Sequence, residues 1–200
     1  MFAPEIFVRR LPAYTLPMQQ DLERVLFDEA TIMSRLDQLA AEISAEYRDR
    51  DLTVIAILNG SIILMADLLR RIPLPLKFDC LSVASYHGGT TTSGEIVFKQ
   101  IALPDVENRH VLILDDILDS GVTLAAIREK LASRRPLSVK TCVLLRKRKP
   151  RRRPVEVDYV GFDIGDEFVV GYGLDYMEHY RNLPCIGVLR KTKILSANPT

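Results

Sequence analysis

Apolar positions follow three rhythms along this chain. After Asp28, Ile32, Leu36, Leu39, Ile43 and Tyr47 recur at helical spacing over a polar background, which predicts an amphipathic helix ending near Arg50. TVIAIL (53–58) and HVLIL (110–114) are instead unbroken apolar runs, the pattern of strands covered on both faces. The first run leads through Asn59-Gly60-Ser61 into the helical segment IILMADLLRRI and then KFDCLSVASY (77–86), rich in strand formers. The second leads into LAAIREKLASRR, with Leu124, Ile127 and Leu131 on one face, and then SVKTCVLL (138–145). Two strand–helix–strand units predict an α/β fold with a largely parallel, twisted sheet flanked by helices. Beyond residue 150 the third rhythm, short strands and turns (DYVGFDI, EFVVGYG, CIGVL), predicts a smaller subdomain over the sheet's binding edge. Residues 1–20, with Pro4, Pro12 and Pro17, predict an irregular arm.

Two hundred residues, 48% of them apolar, suit a single domain over 1–200 with a continuous core. A net charge of +1 supplies no global attraction to nucleic acid or anionic membrane. Cys80, Cys142 and Cys185 stand far apart in apolar surroundings, as buried reduced thiols do. MFAPEIFVRRLPAYTL has no signal-peptide pattern and no run is long enough to span a bilayer, so a cytoplasmic protein is expected, without a membrane partner.

Ligands of open parallel sheets bind at the carboxyl ends of the strands. VLILDDILDSGVTL (111–124) places Asp115, Asp116 and Asp119 there, followed by a Ser120, Gly121, Val122, Thr123 turn into a helix whose first amides can hold a phosphate. It is neither an ATP-type P-loop nor a dinucleotide fingerprint. Carboxylates beside an anion cradle make sense for a sugar phosphate bearing a metal-bound diphosphate: ribose hydroxyls donate to Asp115 and Asp116, Mg2+ offsets charge, and the monophosphate sits on the amides. Any one of these residues taken alone reads better as an ordinary strand end or helix cap.

Taken whole, VLILDDILDSGVT resembles the phosphoribosyl pyrophosphate (PRPP) motif of type I phosphoribosyltransferases. The resemblance runs from about Leu26 to the last strand, and DEFVVGYGLDYMEHYRNLPCIGVL (166–189) points to the bacterial hypoxanthine/guanine branch. It implies the type I fold, with the terminal segments, about 150–200 included, forming a small hood. It implies purine salvage: transfer of phosphoribosyl from PRPP to a 6-oxopurine, giving IMP or GMP and pyrophosphate. Phe168 would stack on the purine, Val169 offer backbone contacts to its edge, Lys147 donate to its exocyclic oxygen, and Asp119 act as general base. Asp175, counted among the purine-binding residues as well, would with Asp115 and Asp116 hold Mg2+. Arg181 and the amides of Asn59 and Gly60 would meet pyrophosphate, in a loop that in the family carries a non-proline cis peptide. This chain has Asn59 where many relatives carry Lys or Arg, and Ser61 where a second glycine is frequent. Ser85 and Tyr86, followed by HGGTTTSGE, resemble the family's lid. A homodimer or homotetramer is implied. His87, His110 and His179 are scattered and receive no role. The tract LLRKRKPRRRP (144–154) leaves open an alternative, a PRPP- or nucleotide-sensing regulator that binds RNA, although a nucleic-acid partner is not the expectation.

Overall fold

The computed structural model describes residues 17–85, 96–98 and 104–195. Most of the predicted arm lies outside the described residues, as do Tyr86 and the rest of the predicted lid, except that Glu95 is followed by the described strand segment 96–98.

A short 3-10 turn (Pro17–Asp21) leads into β1 (Leu22–Phe27) and α1 (Glu29–Glu46). Asp28 caps α1, its carboxylate accepting from the Thr31 amide at 2.8 Å. The predicted stripe is the buried one: Ile32, Leu36, Leu39 and Ile43 are fully enclosed, and Tyr47 closes the last turn. Then follow β2 (Leu52–Leu58), α2 (Ile62–Leu69), β3 (Leu76–Ser85), β4 (Ile96–Phe98), β5 (His110–Leu118), α3 (Val122–Ala132) and β6 (Ser138–Lys147). The chain ends in β7 (Tyr159–Ile164), β8 (Val169–Val170), β9 (Ile186–Leu189) and α4 (Lys191–Leu195).

The main sheet has the order β4-β3-β2-β5-β6-β7, parallel from β3 to β7 with β4 antiparallel at one edge. The apolar runs are continuous because successive residues serve opposite layers. Val54, Ala56, Leu112 and Leu114 pack with α1 and α2, while Ile55, Ile57, Val111 and Ile113 pack with Leu124, Ile127 and Leu131 of α3. The second sheet, β1-β9-β8, is antiparallel and joins the α1 and α2 side of the core through Val169, Ile186 and Val188.

Three details differ from expectation. DYVGFDI pairs in parallel with β6 as the edge of the main sheet, so the smaller unit is built from β8, β9 and the unexpected β1. Strand β5 does not stop at Leu114 but continues through both aspartates to Leu118. Cys142 and Cys185 are buried, but Cys80 is only half-buried.

Candidate active site

Strand order fixes where a ligand fits. The chain passes from β2 to β3 on one side and later to β5 on the other, so the topology reverses between β2 and β5 and leaves a crevice beyond their carboxyl ends. The β2–β5 ladder ends at Ala56 and Leu114, after which β5 pairs only with β6. A cleft of about 290 Å³ opens there. Asn59, Gly60, Asp115, Asp116, Asp119, Ser120, Gly121, Thr123, Asp175 and Arg181 all line it.

On the floor, Asp115 is almost fully buried and its carboxylate accepts from the Asp116 amide at 3.1 Å, while Asp116 accepts from the Ile117 amide at 2.8 Å. Burial, then the neighbouring Asp116 charge, push the Asp115 carboxyl well above the ordinary range. Burial also raises Asp116, against hydrogen bonds from Asp115 and the Ile117 amide that favour its charge. The pair resists double ionisation until a ligand supplies donors or positive charge. Gly60 is required opposite them, since a β-carbon there would lie 1.6 Å from Asp116 Oδ2.

The turn after β5 forms the cradle. Gly121 caps α3 at φ +78°, a left-handed conformation open to glycine, and a β-carbon would sit 2.1 Å from the Arg153 carbonyl. The Val122 amide lies 3.4 Å from Ser120 Oγ, and the first α3 bond runs from Ala125 to the Gly121 carbonyl, so the amides of the opening turn have no helical acceptor of their own.

Facing it, the Leu58–Asn59 peptide is cis. Ser61, fully buried, turns its hydroxyl back onto the Ile57 carbonyl at 2.5 Å, so its side chain serves the loop's own fold. The loop after β8 packs on this turn: a β-carbon on Gly173 would lie 2.0 Å from the Gly60 carbonyl. Arg181 donates to the Gly173 carbonyl at 2.8 Å and pairs with Asp175 at 2.9 Å and Glu178 at 3.0 Å. Asp175 also accepts from the Glu178 amide at 2.9 Å.

Of the predicted purine residues, Asp175 lines the cleft, while Lys147, Phe168 and Val169 stand beside it. Lys147 ends β6, is 8% exposed, and pairs with Asp119 at 3.1 Å. Phe168 is 43% exposed with its ring edge-on to Tyr176 at 5.5 Å, and buried Val169 pairs with Val188 of β9. Val122 heads α3 without lining the cleft, and Ser85 ends β3. Two unanticipated residues complete the cluster: Lys149 and Asp166. Lys149 contacts Asp119 at 2.6 Å and Asp166 at 2.8 Å, and Lys147 reaches Asp166 at 3.2 Å. Burial works against the Asp119 charge, but hydrogen bonds from Lys149 and Lys147 outweigh it and hold the carboxyl below its ordinary value. The signal was present in sequence as R-K-R-K at a strand end, but its acidic counterpart lies seventeen residues on.

Much of the basic tract is engaged internally. Arg146 makes a two-point pair with Asp163 at 2.6 and 2.9 Å, Arg151 donates to the Lys147 carbonyl at 2.8 Å, and Arg153 pairs with Glu129. Among the described residues no three His, Cys, Asp or Glu side chains converge as a ready-made metal cage, and no helix is long and apolar enough to cross a membrane.

The phosphoribosyl transferase domain family matches residues 26–177. A hypoxanthine-guanine phosphoribosyltransferase of Staphylococcus epidermidis is 46% identical over 173 residues, spanning 86% of this chain and 97% of that protein. Its Staphylococcus aureus (strain Mu50) counterpart is 44% identical with the same coverage. A crystal structure of a Staphylococcus aureus hypoxanthine phosphoribosyltransferase superposes with a TM-score of 0.85 at 43% identity, over 90% of this chain and 98% of that one. A mutant Trypanosoma cruzi hypoxanthine phosphoribosyltransferase, complexed with the product IMP, superposes at 0.84 with 36% identity, over 90% and 97% of the two chains.

Proposed function

The chain belongs to the phosphoribosyl transferase family, and from that premise we propose that it is a purine salvage enzyme, a hypoxanthine/guanine phosphoribosyltransferase making IMP or GMP from PRPP and the free base. The observation that carries the substrate class is one cleft in which an acid pair, an amide cradle and the Arg181–Asp175 pair meet at the sheet's switch point. These are the three fittings a ribose diol, a monophosphate and a diphosphate require.

In the reaction one imidazole nitrogen of the purine bonds to the anomeric carbon as its bond to pyrophosphate breaks. The proton the ring loses passes to Asp119. Positive charge grows on the ribose, beside Asp115 and Asp116, and negative charge grows on the leaving group, beside Arg181 and the Asn59–Gly60 turn. The amides at Ser120 to Thr123 hold the monophosphate, so the sugar is tethered at both ends and cannot drift from the base. Phe168 stacks on the purine, its exposed ring already braced by Tyr176.

Lys147 connects base choice with proton acceptance. It now pairs with Asp119, and a purine whose exocyclic oxygen accepts a hydrogen bond competes for the same ammonium. When the oxygen draws on it, the hold on Asp119 weakens and the carboxylate becomes a better base. Adenine, whose amino group cannot accept that bond, does not trigger the exchange.

Mg2+ fits the donor set, because Asp175, Asp115 and Asp116 offer only the hard oxygen ligands that cation takes. When bound with PRPP it would offset diphosphate charge. Ser85 and Tyr86 as part of a lid, and a homodimer or homotetramer, belong to the same reading and rest on family membership.

The test is pyrophosphate release from PRPP and Mg2+ with hypoxanthine, guanine, xanthine or adenine supplied singly. Turnover with hypoxanthine and guanine, and little with adenine, is expected. Release with none of them, or preference for adenine, would overturn the proposal.

A further inference from the structure

Asp119 is approached by two ammonium groups, one on each oxygen: Lys147 at 3.1 Å from Oδ2 and Lys149 at 2.6 Å from Oδ1. Both lysines also reach the same oxygen of Asp166, at 3.2 and 2.8 Å. The four residues join the end of β5, the end of β6 and the β7–β8 connection, two residues before Phe168. The lysines are the enclosed partners, with side chains 10% and 26% exposed against 44% for Asp119 and 56% for Asp166.

The pattern R-K-R-K produces this arrangement. Alternate residues of an extended chain point to opposite sides. Arg146 and Arg148 therefore share one side, where both meet Asp163, and Lys147 and Lys149 share the other, where both meet Asp119 and Asp166.

We propose that Lys149 is a positioning residue for phosphoribosyl transfer: it clamps Oδ1 of Asp119, so that Oδ2, which Lys147 yields to the purine, is the oxygen presented to the imidazole ring. The proposal rests on Asp119 as the base. Lys147 already divides its three donors between Asp119 and Asp166, so its hold on Oδ2 slackens when the exocyclic oxygen draws on it, and a carboxylate loosened there with nothing on Oδ1 would be free to rotate. Lys149 removes that freedom while its own ammonium is steadied from the far side by Asp166. The charged groups facing Asp119 are Lys147 and Lys149 from the end of β6, with Asp166 behind them from the β7–β8 connection. As the Lys147 contact loosens, Lys149 is the cation that stays to keep Asp119 ionised.

The test is the pH profile of kcat/KM for hypoxanthine at saturating PRPP, from about pH 3 to 9, so that the limb of a carboxyl held below its ordinary value falls inside the range, for the full chain and its Lys149→Gln, Lys149→Arg and Asp119→Asn variants. In Lys149→Gln the acid limb moves to higher pH, and the ratio of kcat/KM at acid pH to that at alkaline pH falls about threefold or more, with KM for PRPP unchanged. Lys149→Arg keeps a permanent cation and restores the limb, which a merely structural role would not do. An unmoved limb in Lys149→Gln, or the same displacement in Lys149→Arg, overturns the role of Lys149. Asp119→Asn tests the premise separately. Loss of most turnover upholds the base, whereas near-normal turnover removes it whatever Lys149 does.

Discussion

Gly121 shows how much of the site depends on one missing side chain. Its left-handed backbone turns β5 into α3 within a residue of Ser120, and the Arg153 carbonyl occupies the space where a β-carbon would go. Alanine here must both adopt a conformation that costs about 1 to 3 kcal/mol and push the 153 backbone away. Gly121→Ala should therefore lower the melting temperature and raise KM for PRPP several-fold more than KM for the purine; equal changes in the two constants would contradict the cradle. Gly121 was legible in sequence because glycine before a helix is a strong turn signal. Lys149 was not, since a basic run reads as a solvated loop until the fold places Asp119 and Asp166 beside it.

Elements were legible where burial against the flanking layers decides them. The α1 stripe and the two-faced strands follow from spacing and apolar continuity alone. LERVLF gave no such signal, because only Leu22 of β1 is buried while Glu23, Arg24 and Val25 face outward. Strand β5 extends past its expected end for a related reason: aspartate is a poor strand former, and the continuation comes from pairing with β6 at Asp115, Ile117 and Leu118, with Gly60 leaving room for the acid pair. DYVGFDI has strand chemistry but no local mark of which sheet it joins. Its edge position is secured by pairing with β6, to which Arg146 adds a two-point bond to Asp163. The Arg146 hydrogen bond, with burial opposing it, holds the Asp163 carboxyl below its ordinary value of 3.8. A carboxyl depressed in the folded state stabilises it fully above the unfolded value and loses that contribution as pH falls through the lower folded one. Asp163→Asn should thus be less stable than the parent near neutrality, with the gap closing only as the pH drops below that ordinary value. Urea unfolding at a series of pH values measures it, and a gap independent of pH would exclude the ion pair as its source.

At the scale of the molecule, the proposed reaction needs a cradle on one sheet and a stacking ring beside another to stay in register. Two kinds of tie hold them. The first is apolar: Val169, Tyr172, Leu174, Ile186 and Val188 belong to the same core cluster as α1 and α2, so the small sheet shares its buried surface with the large one. The second is polar and local to the site. Tyr172 donates its hydroxyl to Asp67 of α2 at 2.6 Å, and the next residue, Gly173, packs on the Gly60 carbonyl while accepting from Arg181. Burial, then the bond to Asp67, push the Tyr172 hydroxyl far above its ordinary value, so it remains a donor over any working pH. Because the loop after β8 carries Asp175 and Arg181, loosening its anchor should be felt at the end of the cleft proposed for pyrophosphate. Tyr172→Phe removes one hydrogen bond to a carboxylate, worth about 1.5 to 3 kcal/mol, and leaves the ring packed. The shared core predicts that urea still unfolds the variant in one transition, at a lower midpoint, with KM for PRPP raised and that for hypoxanthine little changed. Two separated transitions would mean that the small sheet folds by itself and that the hydroxyl, rather than the apolar surface, joins it to the rest.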